Sequence, residues 1–162
     1  MHIVDLVLIF FCAIVLYYLF NGAIFVPTRP ETVAEMVRLA NRPGIKVADL
    51  GSGDGRIVIA FAKAGAQAVG YEVNPILALW SWYNIWKAGA TGQATIHFKS
   101  FWAVDLSGFD AIVVFGMTHI MGRLQAKLER ELRPGTLVVS NIFKFPNWPI
   151  AAEQNGLRLY RR

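Results

Sequence analysis

Three glycines at alternate positions, Gly51, Gly53 and Gly55, separate the apolar run Ile45-Lys46-Val47-Ala48 from a second one, Ile57-Val58-Ile59-Ala60-Phe61-Ala62. An acid, Asp49, stands two residues before the first glycine. This is a strand, a glycine turn and a helix, the first unit of a βα fold. Glycine lets the backbone bend sharply and lets a ligand lie directly against it. The helix that follows offers free N–H groups and the positive end of its dipole. Such a turn takes a nucleotide-like ligand. The dinucleotide fingerprint G-x-G-x-x-G is not met, because Arg56 occupies its third glycine position. A P-loop is excluded, because no Gly-Lys-Ser/Thr follows.

The pattern acid-x-G-x-G-x-G from Asp49 to Gly55 resembles motif I of the class I S-adenosylmethionine (SAM) methyltransferases. The chemistry agrees with that resemblance. SAM carries a sulfonium cation, an amino acid and an adenosine, so acids beside the turn are favourable. The run Ala68-Val69-Gly70-Tyr71-Glu72-Val73-Asn74-Pro75 then reads as a second strand ending on an acid. Glu72 falls about twenty residues past the turn, where doubly wound folds set a carboxylate against a ribose. A ribose held there suits SAM and NAD alike, and the plainer reading of Glu72 is a solvated strand end.

Further strands are expected near 46–50, 68–72, 94–98, 111–115, 136–142 and 157–160, with helices over 56–64, 75–87 and 119–132. Thr28 and Glu31 have capping-box spacing for one more helix, with Pro30 in its first turn and Val33, Met36, Val37 and Ala40 on one apolar face. The alternation implies a doubly wound, mostly parallel Rossmann-like α/β sheet. Only one strand is expected after the fifth, so the sheet is expected to be short at its C-terminal end. The helix over 75–87 is apolar nearly all round, which implies burial or a membrane interface.

From Leu6 to Phe20 there is no charged residue, and the apolar run continues to Val26. About twenty residues span a bilayer as a helix. Residues 1–26 are therefore expected to form a single-pass membrane-anchoring helix, and residues 27–162 the domain. A cleaved signal peptide is disfavoured, because no Lys or Arg precedes the run and no small-x-small cleavage site follows. A buried core helix is the plainer alternative. All 16 Lys and Arg residues begin at Arg29, against 10 acids over the same stretch. The positive-inside rule then sets the domain on the cytoplasmic face. The basic excess suits anionic lipid or an acidic partner. Nucleic acid is not expected, since there is no Lys/Arg run and no aromatic RNA-binding motif. Cys12 is the one cysteine, and His2, His97 and His119 are scattered, so no metal site is expected.

Taken together, the chain resembles the small membrane-associated protein-lysine N-methyltransferases whose mitochondrial members act on the adenine nucleotide translocase and the c-ring protein of ATP synthase. The stretches that carry this are Phe25-Val26-Pro27-Thr28, Asp49 to Ile59, Gly70-Tyr71-Glu72-Val73-Asn74-Pro75, Trp102-Ala103-Val104-Asp105-Leu106 and Val113-Val114-Phe115-Gly116. Leu128-Glu129-Arg130-Glu131-Leu132 and Phe143-Lys144-Phe145-Pro146-Asn147-Trp148 complete them. The short length suggests a prokaryotic relative. The resemblance implies SAM as cofactor and a protein lysine, in a membrane protein, as methyl acceptor. It implies that Asp49, Gly51, Gly53 and Gly55 wrap the methionine part and that Glu72 holds the ribose with Asn74 beside it. Thr28, Ser52 and Phe115 join the cofactor set. Where the family pattern has Lys-Asp-Leu-Trp after the third strand, this chain has Lys99-Ser100-Phe101-Trp102. Ser100 accepts a hydrogen bond without charge, so adenine binding is expected to lean either on Phe101 or Trp102 or on the peptide N–H at that position.

No single general base is apparent. The loops after the fourth and fifth strands supply His119 for a proton, Trp148 for a cation–π contact and Asn141 as a further polar wall. Methylation of a lipid or hydrophobic small molecule, and a non-catalytic membrane scaffold, are the alternatives.

Overall fold

Short β-branched and alanine-rich runs, buried along most of their length except in the edge strand Ala94–Phe98, form the parallel part of a seven-stranded sheet. These are β1 (Lys46–Leu50), β2 (Gln67–Glu72), β3 (Ala94–Phe98), β4 (Ala111–Val114) and β5 (Leu137–Asn141). The two remaining strands are β6 (Ala152–Gln154) and β7 (Leu157–Arg161), and the order across the sheet is β3-β2-β1-β4-β5-β7-β6. β1 pairs in parallel with both β2 and β4, so the strand order reverses beside it. Open α/β sheets bind ligands at the carboxyl ends of the strands at such a reversal.

The computed structural model describes residues 3–6, 8–9, 25–40 and 42–162. Residues 3–6 and 8–9 are helical, but most of the anchor expected over 1–26 lies outside the described residues. Among the described residues no helix is long and apolar enough to cross a membrane.

Three helices cover one face of the sheet: α1 (Pro30–Ala40), α2 (Arg56–Lys63) and α3 (Pro75–Lys87). Their inward residues, including Met36, Phe61 and Ile85, pack with Val47, Val113 and Val139 of the strands. α1 starts at Pro30, and Val33 N–H donates to the Arg29 carbonyl at 3.0 Å, so Arg29 is the N-cap and the expected capping box on Thr28 does not form. The opposite face carries a single described helix, α4 (Thr118–Glu131). Irregular segments cover the rest of it, with Phe145, Trp148 and Tyr160 forming one ring cluster at centroid distances of 5.0 to 5.7 Å.

The sheet is not short at its C-terminal end. β6 and β7 form an antiparallel hairpin, and β7 pairs antiparallel with β5 over five residues. β6 escapes pattern reading because it is three residues long, is exposed throughout and has no alternating apolar residues. Its signal is the turn instead. Asn155 and Gly156 both have positive φ, 51° and 81°, as a two-residue hairpin loop requires.

Candidate active site

The glycine turn is held from three sides. Gly51 N–H and Ser52 N–H both donate to the Tyr71 carbonyl, at 2.9 and 3.1 Å, which ties the turn to the end of β2. Gly53 N–H donates to Glu72 Oε2 at 2.8 Å. From α3, Ser81 Oγ donates to the Gly53 carbonyl at 2.6 Å and Asn84 Nδ2 to the Asp54 carbonyl at 2.9 Å. On the third side lies the extended segment before α1. A Cβ on Gly53 would sit 2.7 Å from the Phe25 ring, and Gly53 has φ +55°, so a side chain here is strained and displaces the ring. Gly70 is tight for a different reason: a Cβ there would meet Ser52 Oγ and Cβ at 2.6 Å, which is what lets the turn lie down on β2.

Arg56 fastens that third side. Its guanidinium donates to both carboxylate oxygens of Asp54, at 2.7 to 3.1 Å, and from Nη1 to the Thr28 carbonyl at 2.7 Å. Such a fork is geometrically specific as well as strong. The segment from Phe25 to Thr28 becomes a strap across the turn. Sequence reading missed this role because Arg56 stands in a place where only the absence of glycine was informative.

Between strap, turn and strand ends lies a cleft of about 310 Å³. Thr28, Asp49, Gly51, Ser52, Gly53, Glu72, Asn74, Phe101 and Phe115 line it, as does His119 of the candidate catalytic residues. Gly55 does not; it is the N-cap of α2 with φ +80°. Tyr71, Leu77, Trp102, Met117 and Ile120 also line it, with the strap and Arg56.

Other expected site residues serve elsewhere. Ser100 Oγ accepts from Trp102 N–H at 3.4 Å and caps the short 3-10 turn Phe101–Ala103, so it does not line the cleft. Trp148 is buried against Phe145 and Tyr160, and its indole N–H donates to the Arg161 carbonyl at 3.2 Å, which makes it a core residue rather than a cleft wall. Asn141 is buried at the end of β5 and is not part of the cleft lining. Asn74 does line the cleft, but its Oδ1 is spent on capping α3, accepting from Ile76 N–H and Leu77 N–H at 3.0 and 3.3 Å.

Glu72 is heavily used by the protein itself. Oε1 accepts from Val73 N–H and Asn74 N–H, each at 2.8 Å, and Oε2 accepts from Gly53 N–H. A carboxylate offers about four acceptor sites, so one remains open, on Oε2. Asp49 is 3% exposed, and among the described residues its Oδ2 has no hydrogen-bond partner; the buried Ser52 Oγ has none there either. Burial, then the negative charges of Glu72 and Asp54, push the Asp49 carboxyl up to about 8. Of the three acids, Asp54 alone is paired with a cation among the described residues. Asp49 and Ser52 thus line the cleft with buried oxygens that the protein leaves unpartnered, beside a Glu72 carboxylate that has no cation partner among the described residues, a lining that fits an organic cation with hydroxyl groups.

The loops that follow β3, β4 and β5 are aromatic. Phe115 lies 6.0 Å from Phe143, and Phe101 lies 4.8 Å from Trp102, over which the Arg123 guanidinium stacks at 4.3 Å. Phe143 follows Ile142, whose φ of 66° is costly for a β-branched residue. Ile142 N–H donates to the Gly156 carbonyl and Ser140 Oγ to the Phe143 carbonyl, so this bend is held from both sides.

A family model described as the ANTKMT methyltransferase domain matches residues 49–152. A lysine N-methyltransferase of Mus musculus, named for the ATP synthase c-subunit, is 43% identical over 124 residues, which covers 76% of this chain and 50% of that protein. The chain thus spans about half the length of that relative. A protein-lysine N-methyltransferase of Saccharolobus islandicus is 39% identical over 127 residues, covering 76% of this chain and 79% of that protein. Among solved structures, an RNA methyltransferase from Salinibacter ruber in complex with S-adenosyl-L-homocysteine superposes with a TM-score of 0.78 at 31% identity, covering 84% of this chain and 92% of that one. Fold, glycine turn and sequence agree, and the chain belongs to the ANTKMT methyltransferase domain family.

Proposed function

We propose that this chain binds SAM in the cleft and transfers its methyl group to the side-chain amine of a protein lysine. The observation that carries the cofactor is the buried, unpartnered Asp49 oxygen in an acid-lined cleft at the glycine turn. Asp49 and the turn would hold the methionine part, Glu72 Oε2 the ribose, and Phe101 with Trp102 the adenine. Bound there, SAM supplies a methyl carbon on a positively charged sulfur, which the lysine nitrogen displaces in line as the S–C bond breaks.

The chain's own residues supply alignment and dryness. Holding the two reactants close is worth several kcal/mol, about 7 to 11 at best. Phe115, Ile120 and Phe143 keep water from the acceptor side, and an apolar surround lowers a lysine pKa toward its neutral, nucleophilic form. His119 is exposed at the cleft and is placed to pass the released proton to solvent.

Lysine as acceptor rests on the relatives named for lysine in the ATP synthase c-subunit, in the adenine nucleotide translocase of Mus musculus, and in proteins generally. The apolar run through Val26 supports a membrane-anchored enzyme with its domain on the cytoplasmic face and its substrate in the same membrane. The test is transfer of a radiolabelled methyl group from SAM into membranes and soluble extract of the source cells. Label is expected in protein, recovered as methyl-lysine after hydrolysis. Label recovered only in lipid or only in RNA would overturn the lysine reading, and absence of SAM binding by calorimetry would overturn the cofactor.

A further inference from the structure

The cleft leaves one large feature of the molecule unexplained, the outer face of α3. This helix meets the sheet through Ala78, Ser81 and Ile85, all buried, two of them small. Its larger side chains point the other way. Ile76, Leu79, Trp80, Tyr83 and Trp86 recur at three- and four-residue spacing and form one outward stripe, with Trp86 69% exposed. α3 is tied to the edge strand β3, where the Trp82 indole N–H donates to the Ile96 carbonyl at 3.0 Å and Phe98 is also exposed. Contiguous exposed apolar surface of this kind marks an interaction site.

We propose that this face docks the domain onto an anionic lipid bilayer, with its tryptophans and tyrosine at head-group depth. Composition and charge select this occupant. Indole and phenol rings concentrate at the membrane interface, where one end is apolar and the other wet. From Val73 to Val104 the chain has no acidic residue, while Lys87 and Lys99 are both exposed there. Lys87 reaches over the Tyr83 ring with Nζ 6.0 Å from its centroid. A second copy meeting this face across a two-fold axis would set lysine toward lysine with no acid to answer. Anionic head groups complement it directly. The face also adjoins the cleft: α3 begins three residues beyond Glu72, and Leu77 lines the cavity. Docking through α3 sets the cleft beside the lipid surface, in reach of an acceptor held at the membrane. Docking of this kind is independent of which acceptor is methylated.

The test uses the full chain with Cys12→Ser and one new cysteine carrying an environment-sensitive fluorophore, at Leu79→Cys on α3 or at Ala152→Cys on β6, the opposite sheet edge. Each is bound to phosphatidylcholine vesicles with or without phosphatidylglycerol, containing a nitroxide lipid labelled near the head group. The Leu79→Cys probe is expected to shift to the blue and to be quenched by the nitroxide in anionic vesicles, and the Ala152→Cys probe to remain unquenched. Lys87→Gln and Lys99→Gln are each expected to lower the ratio of quenched to unquenched probe by on the order of fivefold. Equal quenching at the two sites on bound protein overturns the proposal. So does a Leu79→Cys probe that is blue-shifted yet untouched by the nitroxide, because protein then covers the face. Equal quenching in neutral vesicles overturns the commitment to anionic lipid. Unchanged SAM binding by both labelled chains shows that the fold is intact and keeps these outcomes separate from failure of the cofactor reading.

Discussion

Glu72 joins two roles that its sequence position does not separate. It was legible as an acid at the end of β2, but the same carboxylate accepts three backbone N–H groups and so builds the turn it serves. Glu72→Gln replaces one acceptor oxygen with an NH₂ group and removes the charge, which leaves at least one of those donors without its partner. Hydrogen bonds to a charged group contribute about 1.5 to 3 kcal/mol. For a domain of this size each kcal/mol moves Tm by roughly 2 to 4 °C. The expected result is a fall of several degrees by scanning fluorimetry without ligand, together with weakened SAM binding by calorimetry. A variant that loses affinity with Tm unchanged would show that the carboxylate is not structural. The same ambiguity explains where the reading of other residues stopped. Asn74 and Ser100 stand at starts of helical turns, where a short polar side chain caps as readily as it binds a ligand, and both cap. Trp148 follows β5 in the place of a pocket wall, but its indole N–H is spent on the Arg161 carbonyl.

Strand, turn and helix were readable around Gly51 to Gly55 because periodicity and glycine spacing are local signals. The strap was not, because it depends on a contact between residues 28 positions apart, Arg56 and Thr28. β6 was not, because an exposed edge strand of three residues carries no hydrophobic pattern. The aromatic stripe on α3 was legible as a helix apolar all round, but which side faced outward was settled by the small residues that the sheet accepts. The strap makes a specific claim about binding. Arg56→Ala removes the bond to the Thr28 carbonyl and leaves Asp54 unpaired, so Phe25 to Thr28 lose their hold on one wall of the cleft. With Arg56 partly exposed, a loss of roughly 1 kcal/mol is expected, about fivefold in Kd for SAM, chiefly through faster dissociation. Arg56→Lys keeps the charge but not the fork, and is expected to fall between the two. Stopped-flow displacement measures this; dissociation as slow as in the parent chain would mean that the strap does not retain the ligand.

The molecule as a whole should report its cleft through pH. In the absence of ligand, the folded Asp49 carboxyl holds its proton up to about 8, against an ordinary value of 3.8. Between those values the folded chain binds a proton that the unfolded chain has released. Stability therefore falls as pH rises across that window, by at most about 1.4 kcal/mol per pH unit, and this contribution is flat below and above it. Glu35, Asp105 and Glu131 work in the other sense. Hydrogen bonds to Arg38 and to Ser107 hold the first two carboxyls below the ordinary value; at Glu131 burial pushes upward, and the hydrogen bonds from Lys127, Arg130 and Leu106 together outweigh it, so these contributions are lost only at the acid end. A cationic ligand beside Asp49 favours the charged carboxylate and so opposes the burial and like-charge repulsion that hold the proton on. Binding at pH 7 should then release up to one proton, and affinity should rise with pH until about 8, by up to about tenfold per unit. The α-amino group of the ligand loses its own charge near the same pH, so the variant decides the assignment. Asp49→Asn removes the titrating group while keeping a polar side chain of the same shape. It is expected to abolish both the decline of unliganded stability between pH 5 and about 8 and the proton release seen when calorimetry is repeated in buffers of different ionisation enthalpy. A pH slope that survives Asp49→Asn would place the proton on another group and remove the buried Asp49 acid as the basis for cation binding.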